Sequence, residues 1–138
     1  MAKPRIMFYH DGRHPHIYRY EHPMHKEEYV ALVDELVGTS VESIMLCLGE
    51  GRTMLHNTKA GELLGHNIEK WEHSVFRRAH RNAKHLIDEG NDPLRIVCDR
   101  AHEKGLLLYP TLLVQQPGGD WVPMRNSNFR KNNPQFDI

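Results

Sequence analysis

The chain has 138 residues, which suits a single domain, and 39% of them are hydrophobic, enough for a buried core. Its 18 basic and 18 acidic residues give a formal net charge of zero, which argues against a general nucleic-acid binder or an anionic membrane partner. No apolar run approaches the roughly 20 residues that span a bilayer, and the N-terminus lacks the apolar region of a signal peptide. We therefore expect a cytoplasmic protein if this is the native start.

Cysteine and histidine usage bounds the chemistry further. Cys47 and Cys98 each lie in an apolar stretch and form no CxxC pair, so we expect two buried, free thiols. The 11 histidines are an unusually high number. They spread over roughly the first hundred residues and do not form one tight ligand set.

Three apolar segments predict β-strands: residues 5–10 (RIMFYH), 43–49 (SIMLCLG) and 105–114 (GLLLYPTLLV). Continuous apolar runs without alternation are typical of strands that are buried on both faces of a parallel sheet. Pro110 cannot donate a ladder hydrogen bond, so we expect the third strand to end near Tyr109 or to carry a bulge there.

Apolar residues recur at helical spacing in three further segments, residues 26–38, 73–90 and 92–105. Each segment ends at a glycine, a natural C-terminal stop. Asp92 is suited to cap the last helix, with Pro93 in its first turn. Strands that alternate with helices predict an α/β fold of parallel βα units.

Each predicted strand leads into a polar loop, and parallel α/β folds bind ligands at the carboxyl ends of their strands. The first two loops share an acid-Gly-Arg pattern, DGR at residues 11–13 and EGR at residues 50–52. Parallel strands would place these loops side by side, as one edge of a pocket. The expected charged residues of this edge are Asp11, Arg13, Glu50 and Arg52. The alternative is a pair of local salt bridges within turns that glycine permits.

Two long connecting regions remain. The loop from Gly49 to about Trp71 far exceeds the usual 2–6 residues, and loops of that length are usually functional or disordered. The tail, residues 118–138, is polar, and it predicts a short helix followed by the start of another strand at residues 135–138 (QFDI).

The N-terminal segment is rich in histidine, which raises the question of a metal site. Zinc needs three or four ligands at fixed geometry, no HExxH motif occurs, and Pro15 separates His14 from His16 in a loop. We therefore expect no metal and no cofactor, with these histidines exposed or hydrogen-bonded. A metal-dependent hydrolase that uses them remains an alternative.

The segment CDRAHEKGLLLYPTLLV combines a helix that ends in Ala-His-x-x-Gly with an apolar strand. This pattern, carried by Ala101, His102 and Gly105, resembles the third β/α step of many glycoside-hydrolase (β/α)8 barrels. With FYHDGRH at the first strand and NFRKNNPQFDI at the end, nearly the whole chain resembles the N-terminal part of the glycosyl hydrolase-like barrel proteins. These are largely uncharacterised bacterial proteins.

The resemblance implies one partial TIM-barrel domain over residues 1–138, about the first three of eight β/α units, and hence a truncated barrel. It implies a carbohydrate-active protein that contacts a sugar substrate at the C-terminal ends of its strands. The expected sugar-contacting residues are His10, Asp11, Arg13, Glu50, Arg52 and Trp121. Trp71 is a second candidate for stacking on a sugar face.

Whether the chain is itself an enzyme stays open at this stage. Glycosidases use two carboxylates, and in related barrels these come from about the fourth strand onward, so here they would lie beyond residue 138. The alternative is a non-catalytic sugar-binding or degenerate barrel protein. If the chain is complete, we also expect self-association, because a small parallel sheet leaves its edges unprotected.

Overall fold

The computed structural model describes residues 4–49, 53–113 and 125–136. Three strands form one parallel sheet in the order β1-β2-β3: β1 spans Met7–His10, β2 spans Ser43–Cys47 and β3 spans Leu107–Thr111. All three lie where apolar runs predicted them. The parallel pairing confirms the α/β class.

The connection from β1 to β2 is more broken than the sequence pattern predicts. It contains a π-helix at Pro15–Arg19 and two one-turn helices, α1 at Lys26–Tyr29 and α2 at Ala31–Asp34. The single helix expected over residues 26–38 is therefore wrong in its extent, since the chain turns at Val30 and again after α2. β-Branched residues such as Val30 add little helix propensity, so packing of the apolar face decides the local structure.

The connection from β2 to β3 contains the two longer helices. Helix α3 spans Ser74–Asp88 and helix α4 spans Pro93–Glu103, as the helical spacing predicts. The expected cap of α4 is confirmed, because Asp92 Oδ1 accepts the backbone N–H of Arg95 at 3.1 Å. The start of α4 was predictable from local sequence because the cap Asp92 and the first-turn proline Pro93 are adjacent residues.

Two expectations for the C-terminal half are wrong. β3 continues through Pro110 to Thr111 instead of ending near Tyr109. β3 is an edge strand of the described sheet, and proline is tolerated on an edge because one side of the strand has no ladder partner. In the tail, the predicted helix is present as α5 at Asn128–Asn132. A 3-10 helix at Pro134–Phe136 occupies the first two residues of the predicted strand start, and its last two, 137 and 138, lie outside the described residues.

The main core lies between one face of the sheet and the helices. From β2, Ile44 and Leu46 reach into it and meet residues of α1, α2 and α4. Its buried members are Met24, Tyr29, Leu32, Val33, Leu36, Ile44, Leu46, Leu86, Ile96, Val97, Ala101 and Leu106. Cys47 is buried and Cys98 half-buried, so the expectation of two buried thiols is wrong for Cys98; both thiols are free.

A second, smaller cluster orders the long loop after β2. Leu55 and Leu64 from this loop pack with Ile17 of the π-helix and with Ala79 and Ala83 of α3. Isolated backbone bridges join Met54 to Gly49 and to Leu63. From residue 53 onward the loop is thus built around its own apolar contacts.

Among the described residues, no helix packs over the Tyr9 and Tyr109 side of the sheet. Side chains alternate along a strand, so Met45 points away from the face that holds Ile44 and Leu46. The strand register places Tyr9 and Tyr109 beside Met45, and these two side chains are 52% and 43% exposed. The expectation that all three strands are buried on both faces is therefore wrong for β1 and β3. We call the face with Tyr9, Met45 and Tyr109 the open face.

Within the described ranges, no helix combines the length and the apolar character that a bilayer crossing requires.

Candidate functional site

The turn after β1 is held by its own polar side chains. Asp11 Oδ1 accepts the backbone N–H groups of Arg13 and His14, both at 3.0 Å. The other carboxylate oxygen lies 3.9 Å from the Arg13 guanidinium. The local-turn alternative therefore describes Asp11 well, because its carboxylate shapes the loop.

Gly12 places this turn directly against the end of β2. Its φ is +70°, and a Cβ built on it would lie 2.2 Å from the carbonyl oxygen of Cys47. Only glycine fits such a close backbone approach in the left-handed region. The turn after β1 and the end of β2 are thus neighbours, as the parallel arrangement predicts.

His10 closes the turn from the strand side. Its Nδ1 accepts the backbone N–H of Gly12 at 3.0 Å. Burial is the main cause that lowers the pKa of His10 below its usual value. The ring is therefore neutral near pH 7, and the accepted hydrogen bond assigns its proton to Nε2, which makes that nitrogen a donor.

Tyr9, the residue before His10 in β1, places a phenol on the open face of the sheet. A hydrogen bond with the Cys47 side chain, followed by burial, raises the pKa of Tyr9 to about 12. The Cys47 thiol in turn donates to the Gly49 carbonyl at 3.1 Å. The phenol therefore stays protonated at physiological pH, with an apolar ring and a polar tip.

Arg13 lies beside the second core cluster. It is half-buried and lines a small cavity together with Thr53, Phe76 and Arg125. Two guanidinium groups thus line one cavity.

The other expected sugar-contacting residues divide into two groups. Glu50, Arg52 and Trp121 lie outside the described residues. Trp71 packs on Gly65, where a Cβ would lie 2.2 Å from its ring, and its centroid is 5.4 Å from that of His80. The ring of Trp71 therefore has a structural contact that explains its position.

The N-terminal histidines do not converge into a ligand set. His14 is exposed, with its ring centroid 5.4 Å from that of Tyr18. His16 is fully buried against Tyr29, and neither of its ring nitrogens has a hydrogen-bond partner. The expectation that these histidines are exposed or hydrogen-bonded is therefore wrong for His16.

One group of three ligand-type side chains in the described part of the chain lies close enough to hold a metal ion. It consists of His25, His85 and Glu89, whose ligand atoms all lie within 4.8 Å of one another. Sequence reasoning missed this group because it joins two distant segments. The available signal was the i, i+4 spacing of His85 and Glu89 at the end of a predicted helix.

Sequence reasoning also missed the tyrosines of the open face. Tyr9 and Tyr109 were hidden in apolar runs that predict burial on both faces. Their equivalent positions in the two outer strands were the signal that could have found them.

Comparison with known proteins adds no relative: no protein-family model matches the chain, and no curated protein matches it. The class of protein is therefore defined by fold and site alone. It is an α/β chain with a parallel sheet, covered by helices on one face, and with a polar turn at its strand ends.

Proposed function

We propose that this chain forms the first three β/α units of a glycoside hydrolase-like (β/α)8 barrel and contacts a carbohydrate at the C-terminal ends of its strands. The one-sided sheet carries this proposal. Helices cover Ile44 and Leu46 of β2, while Tyr9 and Tyr109 remain exposed on the open face; at the β1 edge of the covered face, Phe8 is 41% exposed. In a (β/α)8 barrel the helices form the outer ring and the other face lines the interior.

The order of the strands supports the same architecture. β1, β2 and β3 are neighbours in chain order, and each pair is parallel. Successive strands of a (β/α)8 barrel are arranged in this way, whereas doubly wound sheets reverse their strand order at a switch point.

The chemistry of the strand ends supports a hydroxyl-rich ligand. His10 offers a neutral N–H donor, and Arg13 adds a planar cation with several donors. Tyr9 contributes an amphipathic ring on the open face, whereas His10, the next residue of β1, lies on the face of Leu46. The resemblance of the Ala-His-x-x-Gly helix end favours a sugar among such ligands, and the proposal includes Glu50, Arg52 and Trp121 as further contacts.

The proposed role of this segment is substrate binding. Among the described residues that follow the three strands, Asp11 supplies the one carboxylate, and it is engaged in the turn. Glycosidases place two carboxylates about 5–10 Å apart across the bond. In the proposed barrel the acid and its partner come from later strands; a non-catalytic sugar-binding protein would use the same contacts.

Binding can be tested by NMR on the 15N-labelled chain. The probes are cellobiose, maltose, lactose and xylobiose, titrated one at a time. We expect at least one of them to shift the backbone signals of residues 9–13 and of Cys47. If all four leave these signals in place, or shift only signals elsewhere, the proposed site is wrong.

A substitution at His10 makes the same test specific. His10→Asn keeps an acceptor near Nδ1 for the Gly12 N–H and removes the Nε2 donor. We expect it to weaken binding about tenfold, the equivalent of roughly 1.4 kcal/mol. His102→Asn, at an exposed position on α4, is the matched control and should bind as the wild type does.

A further inference from the structure

Three side chains of the metal-ligand type meet beside the end of α3. His85 lies in the last turn of that helix and Glu89 follows it, so the i, i+4 spacing puts both on one face. His25, immediately before α1, approaches them from a segment sixty residues away in sequence. The ligand atoms of the three residues all lie within 4.8 Å of one another.

The spacing of these atoms suits a tetrahedral ion. His85 Nε2 and Glu89 Oε1 are 3.4 Å apart. With zinc–ligand bonds of about 2.0–2.1 Å, two ligands at the tetrahedral angle lie roughly 3.3–3.4 Å apart. His25 is exposed, and its ligand atom lies within 4.8 Å of the other two.

The hydrogen-bonding state of the imidazoles is a second, independent observation. His85 Nε2 is shielded from solvent and makes no hydrogen bond, although Glu89 Oε1 lies 3.4 Å away. The same is true of Nδ1 of His22, whose ring stands edge-on to that of His85 at a centroid distance of 5.6 Å. A buried ring nitrogen that makes no hydrogen bond costs folding free energy, and coordination of a metal ion would remove that cost.

The surrounding charges are compatible with one divalent cation. Lys84, the nearest lysine along α3, is paired with Asp88 at 2.7 Å. Within the cluster, Glu89 offers a carboxylate oxygen and the two imidazoles offer ring nitrogens.

From this geometry we propose that the chain binds one divalent transition-metal ion through His25, His85 and Glu89. Two imidazoles and one carboxylate suit zinc and leave a fourth position for water or for His22. Mg2+ and Ca2+ prefer all-oxygen ligand sets and should not bind here. This site is separate from the proposed sugar contacts and does not depend on them.

The ion would strengthen a contact that the fold already makes. Asn82 of α3 accepts the Met24 N–H through Oδ1 at 3.2 Å and donates to the carbonyls of His16 and Tyr20. The proposed ligands join the same two segments: His25 follows Met24 directly, and His85 lies about one helical turn after Asn82 in α3. We therefore expect metal binding to raise the melting temperature.

Zinc titration of the tag-free chain by calorimetry tests the site. We expect one Zn2+ per chain, with no heat from Mg2+. His85→Ala should weaken zinc binding more than about 100-fold and Glu89→Gln about tenfold, since even partners of the ligands are worth about 10–100-fold. His73→Ala is the matched control, because His73 precedes α3, is exposed and makes no capping hydrogen bond.

A second measurement keeps the proposal open to refutation if a variant fails to fold. In 15N histidine spectra of the wild type, zinc should shift the ring nitrogens of His25 and His85 and leave those of His73 unchanged. The proposal is overturned if the His25 and His85 signals stay in place at saturating zinc. It is also overturned if zinc binding is absent, or is equal in the wild type and in His85→Ala.

Discussion

At the scale of single residues, His16 shows how burial sets the protonation state of a side chain. It is fully buried against Tyr29, and neither ring nitrogen has a hydrogen-bond partner. Burial lowers the pKa of His16 to about 3, well below the unfolded value of 6.5. The folded chain therefore carries this ring in its neutral form throughout the physiological range.

This burial predicts a stability loss on mild acidification. Above about pH 6.5 the His16 ring is neutral in both the folded and the unfolded chain, so its burial costs no proton. As the pH falls from 6.5 toward 3, the unfolded chain binds the proton first and the free energy of unfolding declines. Between pH 7 and 5, urea unfolding should show a loss about 2 kcal/mol larger in the wild type than in His16→Leu. His14→Leu, at an exposed position, should lose as much unfolding free energy between pH 7 and 5 as the wild type does. An equal loss in His16→Leu would show that burial of His16 does not cause this pH dependence.

A second residue-scale prediction concerns Gly12. Its φ of +70° and the nearby Cys47 carbonyl leave no room for a side chain. Gly38 also has a positive φ, +80°, but a Cβ there would meet nothing within 4 Å. Gly38→Ala should therefore cost about 1 kcal/mol of unfolding free energy and Gly12→Ala at least about 3 kcal/mol. If urea titrations give the same loss of unfolding free energy for both variants, the close contact of the Gly12 turn with β2 is wrong.

At the scale of elements, α4 depends on its cap. Asp92 accepts the Arg95 N–H through Oδ1 and the Asn57 N–H through Oδ2, so one carboxylate joins the helix to the long loop. Asp92→Ala should lower the unfolding free energy by about 1–2 kcal/mol. Asp99→Ala removes an exposed pair with Arg95 in the same helix and should cost less than about 0.5 kcal/mol. A thermal or urea titration in which both variants behave alike would refute the assigned role of the cap.

The elements also show which features local sequence can specify. Asp92 and Pro93 are adjacent to the helix that they start, so its beginning was predictable from a few residues. The break at Val30 was not, because helical spacing continues through it and Val30 itself keeps helical backbone angles, φ −64° and ψ −18°. Exposure of Tyr9 was hidden for the same reason, since a run of apolar residues does not reveal which sheet face lacks a cover.

At the scale of the whole molecule, alternation of strands and helices was enough to predict a parallel α/β sheet. The candidate site was only partly predictable. The turn after β1 lies where the strand order places it, but the use of Asp11 within that turn depends on backbone geometry. The meeting of His25 with His85 depends on how α3 packs against the segment before α1, and no spacing in sequence encodes that distance.

In the proposed barrel, the open face is the inner wall of a larger structure. Such a face is apolar and unprotected in the isolated chain, as are the edges of the described sheet, so copies of the chain should associate through it. Tyr109→Lys places a charge on this face. Val37→Lys, at a 48% exposed position after α2, is the matched control.

Sedimentation equilibrium of the isolated chain is the most direct test of this claim. We expect an average mass above 16.1 kDa that falls on dilution, a return to the monomer mass in Tyr109→Lys, and no change in Val37→Lys. A wild-type chain that stays at 16.1 kDa over the whole concentration range would show that the open face is not an unprotected inner wall.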